Sequence, residues 1–424
     1  MSAVGRIAGP RRRILFLAPF PPNSEGTHGG ARVTGGLIER VAERHDVALL
    51  CLHSPAEAAM PAALREQLVL YEEVERPDRQ STRLKRAAAL GRAAPGLLAT
   101  RPAWVSDWRV PAFGRRVGEL TRSWRPDVVQ AEFHLMGQYL AGLAGRGPAL
   151  VLVEHEPGAA AAADRARRDR GIRRITRRLD AAAWRRYERG VVGAADAVVT
   201  FTEDDRRSLR ELAPAARIEC IPLGVDVPDQ PLDPIGADPP RVVLIGNFTH
   251  PPNVQAALDL ATGIYPTVRA RFPGATLELV GENAPPAVRR LAKPGIVVTG
   301  AVADARPHLD RATIVAVPAR IGGGMRVKVL DALAAGKAVV ATPRALAGVD
   351  LVPGKHAAVA ESDDELADAI VALLTDPQRR RRMGLAAREW AQAHLRWDDA
   401  LDAYDLLYAS LPTSTAAAQG GETP

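Results

Sequence analysis

Short runs of Val, Ile and Leu recur along this chain, each parted from the next by a longer stretch of helical period, and that alternation admits few folds. The first series has runs at Ile14–Ala18, Val47–Leu52, Asp127–Ala131, Ala149–Glu154, Ala197–Phe201 and Ile218–Ile221. The second has them at Val242–Gly246, Thr276–Val280, Ile296–Thr299, Thr313–Val317, Ala338–Ala341 and Ala357–Val359. Segments such as Arg32–Arg44, Leu135–Ala144, Asn253–Ile264, Met325–Ala335 and Glu365–Leu374 read as the helices between them. Strands joined by segments this long need crossover connections, which predicts parallel sheets covered on both faces. An apolar share of 47% with only 4% aromatics suits Ala-rich helices over aliphatic strands and argues against a β-sandwich or barrel.

Between the two series, Pro222, Pro228, Pro231, Pro234, Pro239 and Pro240 fall in a stretch with almost no periodicity, the mark of a linker. The expected organisation is a first α/β domain over 1–222, a linker over 223–240, a second α/β domain over 241–394, and a small polar tail at 412–424 expected to be disordered. The stretch before the tail is amphipathic and carries Trp397, Tyr404 and Tyr408.

Cys51 and Cys220 lie in apolar runs without metal-ligand spacing and read as reduced core residues, which fits a cytoplasmic chain. Arg11-Arg12-Arg13 precedes an apolar run, but the run is short and stops at Pro19, Pro21 and Pro22, so a buried strand is expected there rather than a secretion signal. No clean apolar span reaches about 18 residues, so no transmembrane helix is expected. The formal net charge of +7 is unevenly placed: Asp164–Arg189 holds eleven Arg against four acids. Such a run is most often a solvated helix face. Attraction to anionic lipid at the inner face of a membrane is the next reading for Arg165–Arg189. Nucleic acid is not expected, because no recognition motif accompanies the charge.

The most informative stretch runs from Pro318 to Lys337. It follows a buried strand, opens on Gly322, Gly323 and Gly324, and enters a helix. Glycines there let a ligand approach backbone N–H groups, and the helix start favours an anion. Arg326 and Lys328 are two apart, an arrangement suited to adjoining phosphates, and Asp331 shares the face of Lys328. A carboxylate in that place suits a ribose diol, each charge-assisted bond contributing about 1.5–3 kcal/mol. The blander reading is a capped helix with a surface Lys–Asp pair. The stretch is neither a P-loop nor a dinucleotide fingerprint. Gly246-Asn247, Gly281-Glu282-Asn283 and Gly300-Ala301-Val302 stand at other strand ends, where ligands of open α/β sheets bind. In the first domain the candidates are Thr27-His28-Gly29-Gly30 at a strand-to-helix turn, Gln130–His134 with Glu132, and Glu154-His155-Glu156. Glutamates and histidines there could orient a sugar or move a proton.

Taken together, Ile-Gly-Asn-Phe with Pro-Pro-Asn253, Leu-Val-Gly281, Val-Thr-Gly-Ala-Val302, Gly-Gly-Gly-Met-Arg-Val-Lys-Val-Leu-Asp331 and Ala-Ala-Gly-Lys-Ala-Val-Val-Ala-Thr342 resemble, in order and spacing, the family-4-like retaining glycosyltransferases of the GT-B fold. The likeness is clearest from Arg241 to Leu411 and falls in a Gly-Gly-x-Arg-x-Lys subgroup. It implies two doubly wound Rossmann-like domains facing a central cleft, with the helix at 395–411 crossing back to the first. It also implies a nucleotide-sugar donor as substrate rather than any cofactor, no required metal, a glycan or polyprenyl-linked acceptor, and retention of anomeric configuration. Arg326 and Lys328 would hold the donor diphosphate, Asp331 the ribose and the backbone around Val302 the base. Gly29 and Gly30 would lie near the phosphates and sugar, with Gly246, Asn247, Gly281, Gly322, Gly323, Gly324 and Met325 completing the donor side. His28, His134 and His155 fall on the acceptor side. The usual pair of glutamates is reduced here to Asp331, with Gly323 at the first place. The basic pair usual after Gly246 is absent, and Glu132 stands near the place of the family's first-domain histidine. The loss of the first glutamate keeps open a catalytically inactive nucleotide-sugar-binding relative, and a sugar-nucleotide epimerase of the same fold is a further alternative.

Overall fold

The structure is a computed structural model and describes residues 10–24, 29–55, 57, 59–76, 101–168, 171–232, 238–302, 304–321 and 327–412. It contains two all-parallel sheets. The first comprises β1 (Arg13–Ala18), β2 (Asp46–His53), β3 (Leu70–Glu75), β4 (Val128–Glu132), β5 (Ala149–Glu154), β6 (Ala197–Thr200) and β7 (Ile218–Cys220). Their spatial order is β3-β2-β1-β4-β5-β6-β7. The second comprises β8 (Arg241–Ile245), β9 (Thr276–Val280), β10 (Ile296–Gly300), β11 (Ile314–Val317), β12 (Val339–Ala341) and β13 (Ala358–Val359), in the order β10-β9-β8-β11-β12-β13. Both are Rossmann-like, as the alternation predicts. In each, the order reverses once, at β1/β4 and at β8/β11, and ligands of such sheets sit beyond the carboxyl ends of the strands at that reversal.

The strands are aliphatic because both faces are covered. Every residue of β4, β5 and β6 is buried. Leu15, Leu17, Leu50, Phe113, Met136 and Trp184 belong to one core; Leu244, Leu260, Tyr265, Leu277, Ile314 and Val340 belong to the other. Each large side chain buried in this way contributes about 1.5–3 kcal/mol.

Two expectations change. The helix expected over Leu135–Ala144 spans only Phe133–Gly137; the chain continues in turns to Gly145 at φ +70°, a backbone conformation that glycine adopts readily. Strand β3 has no counterpart among the expected strands. It is a sheet edge carrying Glu72, Glu73 and Glu75, so it lacks the buried run that marks a strand.

The chain divides into two compact units. One holds residues up to Asn23, Thr34–Ile221 and the end of the chain from Leu401; the other holds Ser24–Val33 and Pro222–Ala400. In the first, the helix Trp397–Ser410 supplies Tyr408, whose hydroxyl donates to Gln130 Oε1 at 2.7 Å. From the same helix Asp405 accepts from Arg44 at 2.6 Å and meets His45 Nε2 at 2.9 Å. The arginine-rich run forms the helices Gly158–Arg168 and Gly171–Ala194. Trp184 and Tyr187 face the core, while Arg165, Arg167, Arg174, Arg177, Arg178, Arg185 and Arg186 are exposed. Among the described residues no helix is long and apolar enough to cross a membrane. The expected tail lies outside the described residues from 413 onward.

Candidate functional site

In the second unit, glycines set the approach of two strand ends. Gly281 follows β9 at φ +146°, and a β-carbon there would overlap the Gly246 carbonyl oxygen beyond β8. Only glycine permits that conformation and that closeness. A relay of amides then fixes the cation beside them. Lys328 Nζ donates to Asn253 Oδ1 at 3.0 Å, Asn253 Nδ2 to the Asn247 carbonyl at 2.7 Å, and Asn247 Nδ2 to Glu282 Oε1 at 2.9 Å. The Asn247 side-chain oxygen accepts from the Thr249 amide at 2.9 Å. A β-carbon at Gly246 would meet Lys328 Nζ, so the ammonium sits over the end of β8, at the reversal of the second sheet. The helix Val327–Ala334 carries it there directly after β11.

Asp331, on the same helix, receives a fork from Arg32: Nη1 to Oδ2 at 2.5 Å and Nη2 to Oδ1 at 3.4 Å. Burial lowers the pKa of this guanidinium, but Asp331, with Asp226 and Asp304 further off, outweighs it and leaves the pKa raised. Gly29 opens the helix Gly29–Arg44, with Gly30 next, and a β-carbon at Gly29 would lie 3.7 Å from Val327 Cγ2. The structure thus brings Gly29, Gly246, Asn247, Gly281, Lys328 and Asp331 into one unit. Val302 follows β10 and is half-buried. Gly322, Gly323, Gly324, Met325, Arg326 and His28 lie outside the described residues. A surface cleft of about 320 Å³ lined by Ala261, Tyr265, Pro266, Arg269, Ala270 and Lys293 contains none of these residues.

In the first unit, polar groups collect at the ends of β4 and β5. Glu132 is wholly buried; it accepts from Gln130 Nε2 at 2.7 Å and pairs with His155 Nε2 at 2.8 Å. Phe133, at φ +67°, stacks on His155 with ring centres 3.6 Å apart. His134 turns the other way: its Nδ1 lies 3.2 Å from Glu154 Oε2 and 3.1 Å from the Glu156 carbonyl. Burial lowers the His134 pKa, and Glu154 foremost among the nearby carboxylates more than restores it, so that it is raised. The three candidates Glu132, His134 and His155 therefore belong to two neighbouring pairs rather than one group.

Glu188 completes this buried cluster, accepting from the Gly158 amide at 2.6 Å. Burial, then Glu154, push its carboxyl up to about 8. A carboxyl that holds its proton more tightly in the folded chain favours folding below its ordinary pKa, and that contribution is lost as pH rises through the folded value. The window here runs from about 4.5 to about 8. Glu188→Gln, which keeps an acceptor for the amide, is therefore expected to gain on the parent protein in thermal stability as pH rises across that window. A gap between the two melting temperatures that stays constant from pH 5 to 8.5 would refute this.

With this geometry in hand, comparison with known proteins defines the class. Residues 27–228 match the model described as Glycosyltransferase Family 4, and residues 239–376 match Glycosyl transferases group 1. The chain belongs to the family-4-like, group 1 glycosyltransferases of the GT-B fold. Among curated proteins it is similar to the GDP-mannose-dependent alpha-(1-6)-phosphatidylinositol monomannoside mannosyltransferase of Mycobacterium tuberculosis, 33% identical over 237 residues. That match takes in 49% of this chain and 60% of the relative. The enzyme of the same name from Mycolicibacterium smegmatis is 29% identical over 230 residues, with 47% and 59% covered. The chain thus spans about three-fifths of the length of these relatives. Among solved structures, sucrose-phosphate synthase from Thermosynechococcus elongatus superposes with a TM-score of 0.67 at 16% identity, over 94% of this chain and all of that one. Anabaena HepE in complex with UDP-glucose gives 0.64 at 15%, again over 94% and 100%. At these identities the structures bear on the fold.

Three residues of the second unit's site escape sequence reasoning as to role. Asn253 and Glu282 stand in motifs that sequence reading picks out, without a sign that they anchor Lys328 and Asn247. Arg32 carries no signal at all, since its partner is 299 residues away.

Proposed function

We propose that this chain transfers a sugar from a nucleotide-diphosphate donor to a glycan or lipid-linked acceptor with retention of configuration, in surface polysaccharide or glycolipid synthesis. The observation that carries the reading is Lys328, held by Asn253 over the end of β8 at the sheet reversal, within the matched group 1 domain. Breaking the bond between the anomeric carbon and the diphosphate places negative charge on the departing oxygen, and a preorganised cation lowers that barrier. Lys328 and Arg326 take this role. The bonding pair stays with the diphosphate, and the acceptor hydroxyl attacks the same face while a leaving phosphate oxygen takes its proton. No protein nucleophile or metal is called for in that scheme. Asp331 would hold the ribose and the backbone near Val302 the base, with Gly29 and Gly30 by the phosphates. Glu132, paired with His155, would act at the transferred sugar in the place of the family's first-domain histidine, with His28, His134 and His155 on the acceptor side.

The mycobacterial relatives make GDP-mannose the first donor to try and a phosphatidylinositol mannoside or polyprenyl-linked glycan the first acceptor. The exposed arginines of the helices Gly158–Arg168 and Gly171–Ala194 support work at the inner face of a membrane, by attraction to anionic lipid. The test is release of nucleoside diphosphate from GDP-mannose and from UDP-glucose, with and without acceptor. Acceptor-dependent release, with the new anomeric bond read by NMR, supports the proposal. Scrambling of the donor sugar without acceptor would mark an epimerase, and binding without turnover an inactive relative.

A further inference from the structure

Asp331 is the residue assigned to the donor ribose, yet both its oxygens already accept from one guanidinium. The pair is neither sealed nor fully wet: the Arg32 side chain is 31% exposed and that of Asp331 20%. A solute can reach it, and the geometry is good enough to hold. Arg32 is fixed from behind as well, its Nε donating to the Ser24 carbonyl at 3.3 Å. Around this guanidinium stand three carboxylates, Asp331, Asp226 and Asp304, all in the second unit. Counting these four groups alone, the local charge is −2. A nucleoside diphosphate brings two to three further negative charges into the same region. Its ribose diol must donate to a carboxylate that is occupied, and its phosphates must approach a region where Asp226 and Asp304 lie near that carboxylate.

A guanidinium resolves both difficulties if it changes acceptors. Its planar fork fits a carboxylate and a phosphate equally well. We propose that Arg32 is an exchange residue for the nucleotide: it holds Asp331 until a nucleoside diphosphate arrives, then passes the carboxylate to the ribose hydroxyls and takes a phosphate oxygen instead. The proposal rests on reading the second unit as the donor site, with Asp331 at the ribose. It adds that ribose recognition and phosphate recognition are coupled through one side chain at the start of the helix Gly29–Arg44 and are not independent contacts. Lys328, which shares the helix face of Asp331, keeps its own partner in Asn253 and takes no part in the exchange.

The coupling is read by titrating GDP, 2′,3′-dideoxy-GDP and guanosine into the parent protein and Arg32→Ala by calorimetry, with the uridine set run alongside. Removing Arg32 is expected to weaken the diphosphate by about tenfold or more, the size of one charge-assisted contact. The same change frees Asp331, so the preference for the ribose form over the dideoxy form should rise about threefold or more, and guanosine should bind no more weakly than to the parent. Loss of affinity that is equal for GDP and its dideoxy form, leaving the preference unchanged, overturns the exchange while leaving the donor site in place. Unchanged diphosphate affinity overturns it too. Failure of the parent protein to bind any of these diphosphates sinks the donor-site reading and the exchange together. Arg32→Lys keeps the charge without the fork. If the alanine variant does not fold, Arg32→Lys decides the matter: a raised ribose preference with diphosphate affinity within about fivefold of the parent supports the exchange, and an unchanged preference overturns it.

Discussion

Alanine at Lys328 is expected to lower acceptor-dependent sugar transfer by about a hundredfold or more in kcat/KM, the usual loss when one group aimed at developing charge is removed. The ammonium is not a loose surface charge, because Asn253 holds it at 3.0 Å and the relay through Asn247 ends on Glu282. In the proposed reaction its value would lie in being in place before charge develops, so the loss should fall mainly on kcat, with a smaller change in donor binding. Adding Arg326→Ala should deepen the loss and remove nucleoside diphosphate binding measured by calorimetry. Melting temperature should move little in Lys328→Ala, since the side chain is only half-buried. Near-parental transfer by a folded Lys328→Ala would put the diphosphate elsewhere.

The second large effect is on the fold. Gly281→Ala is expected to destabilise the second unit by about 3 kcal/mol or more, combining backbone strain of about 1–3 kcal/mol with an overpacking cost of similar size. The new β-carbon would run into the Gly246 carbonyl, and neither strand end can retreat without breaking the bond from the Gly246 amide to the Val280 carbonyl at 2.8 Å. For a unit of this size that means a loss of about 10 °C in melting temperature. Gly190→Ala is the control. It lies inside the helix Gly171–Ala194, where an added β-carbon meets nothing within 4 Å. If Gly281→Ala melted like Gly190→Ala, the close approach of the two strand ends would not be a constraint on this fold.

These two residues also mark what could be read from the chain before its structure. Gly281 and Lys328 stand out locally, one ending an aliphatic run and the other inside a glycine-to-helix stretch, so the strand ends and the cation were visible. The strands agree closely because buried aliphatic runs leave little choice: Ile14–Ala18 is expected and Arg13–Ala18 found, Thr313–Val317 expected and Ile314–Val317 found. Strand β3 was not legible, since its stability comes from pairing with β2 and not from its own half-exposed side chains. Nor was the stop at Gly137, since the apolar spacing of the stretch stays helical beyond it. The partners of the candidate residues were the least accessible part. Glu132 with His155, His134 with Glu154, and Asp331 with Arg32 are pairings made by sheet order, and residue type alone says only that each side chain needs a partner when buried.

The helix Trp397–Ser410 has a bearing on how the chain is made. Its Tyr408 and Asp405 satisfy Gln130, Arg44 and His45, groups that leave the ribosome more than 270 residues earlier. While the intervening residues are being synthesised, those groups have no such partners, and β1, β2 and β4 wait beside them incomplete. The continuous stretch Pro222–Ala400, by contrast, holds nearly all of its own unit. A stop codon anywhere before Asp405 would therefore remove the partners of Arg44, His45 and Gln130, residues made long before it.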